Sequence, residues 1–307
     1  MIRNKLIFLI SSPRSGSSMM RNKLNDFKDI IALPSDMRIV EFCYRNNKLF
    51  YSNRQEFKER LIQHYSNSTL AMLSQEEWST LKNSQLDDFN DFNDLVACLS
   101  RMFANHSGKS ITDNTLFVEK SPNNMYYLEF LKNHFKNSTI VYLVRDARDV
   151  VASLNAKSWS SHNTLYNAKR WKVEQQLMKG NYHVCIQYEN LVESTKSTML
   201  NLLTELGYSS LEEVQLLIQK DQEKSKNTPE TDKAIHSGNK HKFLKTLSSI
   251  DREQEIIESV CGKIMLKFGY VSFASAFDHR YFRKRFFFSL EHYLNRLIKI
   301  LKGAEEF

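Results

Sequence analysis

The stretch Leu6-Ile7-Phe8-Leu9-Ile10-Ser11-Ser12-Pro13-Arg14-Ser15-Gly16-Ser17-Ser18-Met19 constrains the fold more than any other. Its apolar run is too short for a lone helix and ends in a turn signal. It therefore predicts a short buried strand, a tight turn and the start of a helix. Pro13 forces a bend, and Gly16 lets the backbone approach a ligand closely. Ser17 and Ser18 offer hydroxyls beside the free N–H groups of a helix N-terminus, and Arg14 adds a fixed positive charge. Such a combination forms an anion cradle. It is not a triphosphate loop of the form GxxxxGK[ST], because the first glycine and the terminal lysine are both absent. The competing reading is an ordinary strand-to-helix turn.

The same grammar returns further on. Leu116–Lys120 reads as a short strand, and Pro122 fits the first turn of a helix running to about Phe135. Thr139–Val144 is a continuous apolar strand followed by a helix through Val150, Val151 and Leu154. A helix over about Asn163 to Met178 leads to a strand at Tyr182–Tyr188, then to a helix from Leu191 to Leu206 that ends at Gly207. Continuous apolar strands alternating with helices imply an α/β fold with a central parallel sheet covered on both faces. The predicted architecture is a P-loop-like, three-layer domain over residues 1–275. Residues 28–42 read as a connection turning at Pro34-Ser35-Asp36. Residues 43–110 read as a polar helical insertion anchored by Trp78, Phe89 and Phe92, the expected place for substrate specificity. Residues 221–245 read as a lid or loop. Residues 276–307 read as a basic amphipathic helix, with Phe287, Leu290, Leu294, Leu297 and Leu301 along one face.

A net charge of +8 suits an anionic ligand, an acidic polymer or a membrane surface. No zinc-finger, RRM or homeodomain signature appears, so nucleic acid is not the expected partner. Cys43, Cys98, Cys185 and Cys261 stand singly, without metal-ligand spacing, which predicts free thiols, a cytoplasmic setting and no metal site. No stretch reaches transmembrane length. The tail helix, with Arg280, Arg283, Lys284 and Arg285, has three open uses: packing on the domain, self-association into a homo-oligomer, or peripheral contact with an anionic membrane.

Two more groups sit at strand ends, where open α/β sheets bind ligands. In Arg145-Asp146-Ala147-Arg148-Asp149-Val150-Val151-Ala152-Ser153, an arginine fork and a hydroxyl two helical turns on can hold one phosphate. A helix start with surface ion pairs is the plainer alternative, and Asp146 and Asp149 read as N-terminal helix charges. In Glu119-Lys120-Ser121-Pro122, a lysine can reach over the sheet edge toward the same crevice. Alone it would be one more solvated lysine.

Together these pieces resemble the sulfotransferases that use 3′-phosphoadenosine 5′-phosphosulfate, in the bacterial and Golgi-type branch. Ser12–Ser18 resembles that family's loop around the 5′-phosphosulfate, and Ile140–Ser153 its 3′-phosphate motif. Lys120-Ser121-Pro122-Asn123 resembles its Lys-x-Pro element, Tyr188-Glu189-Asn190-Leu191-Val192 the Tyr-Glu-Asp-Leu segment, and Phe268-Gly269-Tyr270 the usual domain end. The resemblance spans about residues 5–270. It implies transfer of a sulfuryl group to an acceptor hydroxyl, with a carbohydrate or glycolipid as the leading acceptor class and adenosine 3′,5′-bisphosphate as the product. It implies donor contacts at Pro13, Arg14, Ser15, Gly16, Ser17, Ser18, Arg145, Ser153 and Tyr188, with Lys240 and Lys242 of the lid as further donor-binding candidates. Arg14 and Lys120 would stabilise charge during transfer.

The sequence departs from the family at two points. Arg14 stands where cytosolic small-molecule members carry lysine, as in the carbohydrate and protein-tyrosine branches, and the cytosolic histidine base has no counterpart near Lys120. Asp36-Met37-Arg38-Ile39 resembles the segment of the protein-tyrosine branch that carries a catalytic glutamate, so Asp36 is the first candidate base and Glu41 the second. Asp36 also reads as a helix cap after Pro34-Ser35, and Glu41 as a solvated or ion-paired side chain. A nucleotide kinase and a non-catalytic binding protein on the same scaffold are the rival functions. The missing loop lysine opposes the first, and the presence of Arg14, Lys120, Arg145 and Ser153 opposes the second.

Overall fold

β1 (Lys5–Ser11) lies at the centre of a five-stranded, wholly parallel sheet. On one side it pairs with β3 (Leu116–Glu119), which pairs in turn with the edge strand β2 (Ile30–Ala32). On the other it pairs with β4 (Ser138–Val144), followed by β5 (Val184–Gln187), so the order is β2-β3-β1-β4-β5. In register, Ile7 stands opposite both Val118 and Thr139. The computed structural model describes residues 5–34, 36–66, 90–106, 108–208 and 250–270.

Alternation along the strands sends side chains to two separate cores. Leu6, Phe8 and Ile10 join Ile140, Tyr142 and Val144 on one face. Ile7 and Leu9 join Val141 and Leu143 on the other. This is why β1 and β4 read as unbroken apolar runs. The second core is covered by α1 (Ser17–Asn25) through Met20 and Leu24. Residues 188–205, split into α9 (Tyr188–Glu193) and α10 (Thr195–Glu205), complete that face through Leu191, Leu202 and Leu203. Over the first core lie α7 (Ala147–Asn155), α8 (Thr164–Met178) and α11 (Ile250–Lys267), with α2 (Ile39–Arg45), α3 (Asn47–Ser52), α4 (Arg54–Ser66) and α5 (Phe92–His106). The predicted three-layer α/β architecture is therefore the observed one.

The differences are local. The connection expected over 28–42 contains β2, a strand of only three residues that carries no readable period and owes its existence to pairing with β3. The strand expected at 182–188 is shorter, because Tyr188 already opens α9. The single helix expected from Leu191 breaks at Ser194, whose φ of −128° and ψ of 49° are not helical. Its end is as expected: Gly207 takes φ +74°, and Tyr208 N–H reaches back to Leu203 O at 2.8 Å. Pro122 opens a 3₁₀ turn (Pro122–Tyr127) ahead of α6 (Leu128–His134), where one continuous helix was expected. Phe92, expected as an apolar anchor, is buried among the rings of Phe50, Phe57, Phe130 and Phe135. Trp78, Phe89, the lid at 221–245 and the tail helix at 276–307 lie outside the described residues. Among the described residues no helix is long and apolar enough to cross a membrane.

Candidate active site

Because β1, β3 and β4 are neighbours and parallel, the three segments singled out in the sequence leave the sheet side by side at its carboxyl edge. After β1 the chain turns through Ser12–Gly16, with Ser15 N–H on Ser12 O at 3.3 Å. Arg14 and Gly16 both take left-handed backbone angles, φ +70° and +91°. Gly16 is the N-cap of α1, and no side chain caps the exposed N–H groups. Ser15 is fully buried, and its Oγ has no hydrogen-bond partner among the described residues.

The β4 end closes on this loop. Arg14 Nε donates to Ser153 Oγ at 3.0 Å, and Arg145 Nη1 donates to the Arg14 carbonyl at 3.1 Å. Arg145 is steered by Asp149 at 3.3 Å and lies over the Tyr188 ring, 4.3 Å from its centroid. Tyr188 also explains Gly16: a Cβ there would come within 2.6 Å of the ring. The close approach that glycine permits is thus made to an aromatic side chain of this protein, not only to a ligand as the sequence suggested. No local signal could have revealed it.

Asp146 caps α7, as expected of a helix-terminal charge, by accepting from Arg148 N–H at 2.9 Å. It also takes the Arg148 guanidinium, at 2.6 Å for Nη2, while Nη1 reaches Glu258 of α11 at 2.9 Å. Glu189 accepts from the Asp146 N–H and from the Tyr270 hydroxyl at 2.6 Å, which ties the end of the described chain to this corner. Sequence reasoning gave no role to Arg148 or Glu258, because the pair is 110 residues apart in the chain.

At the β3 end, Lys120 Nζ donates to Ser18 Oγ at 3.1 Å and to Asp36 Oδ1 at 2.8 Å. The residues around Asp36 dock on the same strand end. Asp36 N–H donates to Lys120 O at 3.0 Å, and Arg38 N–H to Ser121 Oγ at 2.9 Å. These bonds hold two non-glycine residues at positive φ, Asp36 at +61° and Arg38 at +54°. Such positions cost of order 1 kcal/mol or more each and persist only when surrounding contacts impose them. Behind them, Glu119 is buried and accepts from Ser121 Oγ and Asn124 Nδ2. Burial pushes its carboxyl up to about 7, against the hydrogen bonds of Ser121 and Asn124 and the charge of Lys120. Arg38, not Asp36, is the N-cap of α2, so the reading of Asp36 as a helix cap does not hold.

Glu41 lies in the first turn of α2 and accepts from Arg45 at 2.7 and 3.1 Å and from Asn123 Nδ2 at 3.4 Å. Burial raises its carboxyl, but the bonds from Arg45 and Asn123 and the charges of Arg45 and Arg38 outweigh it, leaving it below the usual carboxylate range. Pro13, Ser17 and Ser18 sit in the loop and first turn of α1 as expected, with Ser17 buried. Lys240 and Lys242 lie outside the described residues. Among the described residues no group of three or more histidine, cysteine or acidic side chains is placed to hold a metal ion.

A profile described as "Sulfotransferase family" matches residues 7–213. Among solved structures, the sulfotransferase domain from the curacin biosynthetic pathway is 20% identical, with a TM-score of 0.50 over 87% of this chain and 98% of that one. The sulfotransferase domain from the Synechococcus PCC 7002 olefin synthase is 17% identical, with a TM-score of 0.49 over 93% of this chain and 94% of that one. The first of these likenesses bears on fold alone. No curated protein matches the sequence.

Proposed function

This chain belongs to the sulfotransferase family, and from that premise we propose that it moves the sulfuryl group of 3′-phosphoadenosine 5′-phosphosulfate to a hydroxyl of a carbohydrate or glycolipid. One observation carries the reading: Lys120, buried, bridges Ser18 on the loop helix and the carboxylate of Asp36. A cation so placed stands between the candidate donor cradle and the candidate base.

The residues fit the donor. The N-terminus of α1 has no side-chain cap, Ser15 Oγ is buried without a partner among the described residues, and Arg14 and Arg145 meet beside it. When bound, the donor supplies a sulfuryl group already activated by its link to phosphate. Arg14, the backbone of Pro13–Ser18 and the hydroxyls of Ser17 and Ser18 would hold its 5′ end. Arg145, backed by Tyr188 and Asp149, would hold the 3′-phosphate with Ser153. Lys120 Nζ keeps a positive charge, fixed in advance, where negative charge grows during transfer. The Asp36 carboxylate takes the proton of the acceptor hydroxyl. Glu41, the second candidate base, is engaged by Arg45 and Asn123, which supports an orienting role on the acceptor side.

The donor side is tested by equilibrium binding of adenosine 3′,5′-bisphosphate against adenosine 5′-phosphate. A preference of about tenfold or more for the bisphosphate, about 1.4 kcal/mol, is expected of the wild type and should vanish in Arg145→Ala. Equal binding of the two nucleotides, or magnesium-dependent ATP hydrolysis, contradicts the reading.

A further inference from the structure

A cavity of about 590 Å³ opens next to the Asp36 turn and has no part in the donor contacts or the proton transfer just described. Its charged lining comes from two elements: Arg38, Glu41 and Arg45 at the start and along α2, and Arg60 and His64 on α4. Three guanidinium groups thus face one carboxylate. The three are not equivalent. Arg45 is paired with Glu41, and Arg60 with Glu56, which is not part of the lining. Arg38 is exposed, and its side chain makes no hydrogen bond or ion pair among the described residues. Its backbone is held at φ +54° by the bond to Ser121, so its guanidinium is presented to the cavity by the same strand end that carries Lys120. His64 packs on Phe42, with ring centroids 5.2 Å apart. Burial lowers its pKa, Glu41 raises it and Arg38 lowers it, with a net downward shift.

We infer that this cavity is an acceptor subsite for a second negative group, so that the enzyme takes hydroxyl acceptors that already carry a carboxylate, sulfate ester or phosphate ester. The inference rests on the sulfotransferase reading. An oxyanion matches the fork geometry of arginine, and the Arg38 side chain makes no hydrogen bond or ion pair among the described residues, while the nearby Glu41 carboxylate is engaged by Arg45. The Arg38 backbone and that of Asp36 dock on the same strand end, at Ser121 and Lys120, which ties a charge-reading residue and the proton-accepting one to one support. Specificity would then come from an attractive pair at some distance from the reacting hydroxyl.

The test reads the site itself. The probe is inorganic sulfate, compared with chloride at equal ionic strength, and the signal is the NMR titration of His64, assigned with His64→Gln. Sulfate beside His64 should raise its pKa by about half a unit or more. Arg38→Asn removes the charge while keeping a residue that tolerates left-handed backbone, and Arg60→Gln removes a second charge from mid-helix. Each should cut the rise by at least half. No rise in the wild type, or an equal rise in both variants, overturns the inference. In the transfer assay, sulfate should compete with acceptor in the wild type and lose that competition in Arg38→Asn. A His64 response without competition means that the oxyanion is a free ligand, and the acceptor assignment fails. Binding of adenosine 3′,5′-bisphosphate to the same samples separates the two claims. A silent His64 with intact nucleotide binding refutes the cavity alone, and the converse refutes the donor reading alone.

Discussion

At the end of β4, the Arg148 side chain lies between Asp146 and Glu258, and the three are 6%, 0% and 1% exposed. At the end of the nearby strand β3, the Lys120 side chain is as deeply buried, at 4%, but its partner Asp36 is 50% exposed. Both are cation–carboxylate clusters one or a few residues past a strand. The first is closed: carboxylates meet its cation from two elements, and neither opens to water. The second is open on one side, with its cation fixed inside and its carboxylate facing out. A closed cluster holds elements together, whereas an open one can exchange a proton with something that arrives.

The comparison breaks most easily at Arg148. Arg148→Ala leaves two buried carboxylates without their cation, which typically costs about 3–5 kcal/mol, a large share of a domain's stability. Urea unfolding should show that loss; a change below about 1 kcal/mol would erase the distinction between the clusters. Lys120→Ala should do the reverse. Asp36 can be solvated, so stability falls less than in Arg148→Ala, while transfer drops about 10²–10³-fold, the scale of a lost preorganised charge. Steady-state transfer and thermal unfolding on one preparation check both halves.

Glu119 sharpens the contrast, since it supports the open cluster from inside. Burial pushes its native carboxyl up to about 7, above the ordinary carboxylate range of about 4.3. Between those values the native state holds more protons than the unfolded one, so stability falls as pH rises through that window, by about 3 kcal/mol in all. Melting curves at pH 5 and pH 8 should show the fall, and Glu119→Gln should flatten it. The smallest effect is expected at Glu41. Its partner Arg45 is 68% exposed, so Glu41→Gln should change turnover less than about threefold and stability by a few tenths of a kcal/mol. A loss of a hundredfold in that variant would move the base from Asp36 to Glu41.

What the sequence made legible follows from what is local. β1 and β4 announce themselves because both faces of each are buried, and the Ser12–Ser18 turn because Pro13, Arg14 and Gly16 are adjacent. The reason for Gly16 was hidden, since the ring of Tyr188 reaches it across the fold. The left-handed Asp36 and Arg38 were hidden too: aspartate visits that region only occasionally and arginine more rarely, and the bonds to Lys120 and Ser121 that impose it come from just past β3. Arg145 and Arg148 look alike in Arg145-Asp146-Ala147-Arg148-Asp149. Only packing decides that one turns to the Arg14 loop and the other to Glu258.

On the proposed function, the open cluster at β3 serves sulfuryl transfer. The direct measurement incubates the protein with 3′-phosphoadenosine 5′-phosphosulfate carrying radiolabelled sulfate and an extract of the source cell, then counts label in polymer, lipid and small-molecule fractions. Label is expected in the carbohydrate or glycolipid fraction with the wild type and about 10²-fold less with Asp36→Asn. Tight binding of adenosine 3′,5′-bisphosphate with no label in any fraction, or transfer undiminished in Asp36→Asn, would contradict it.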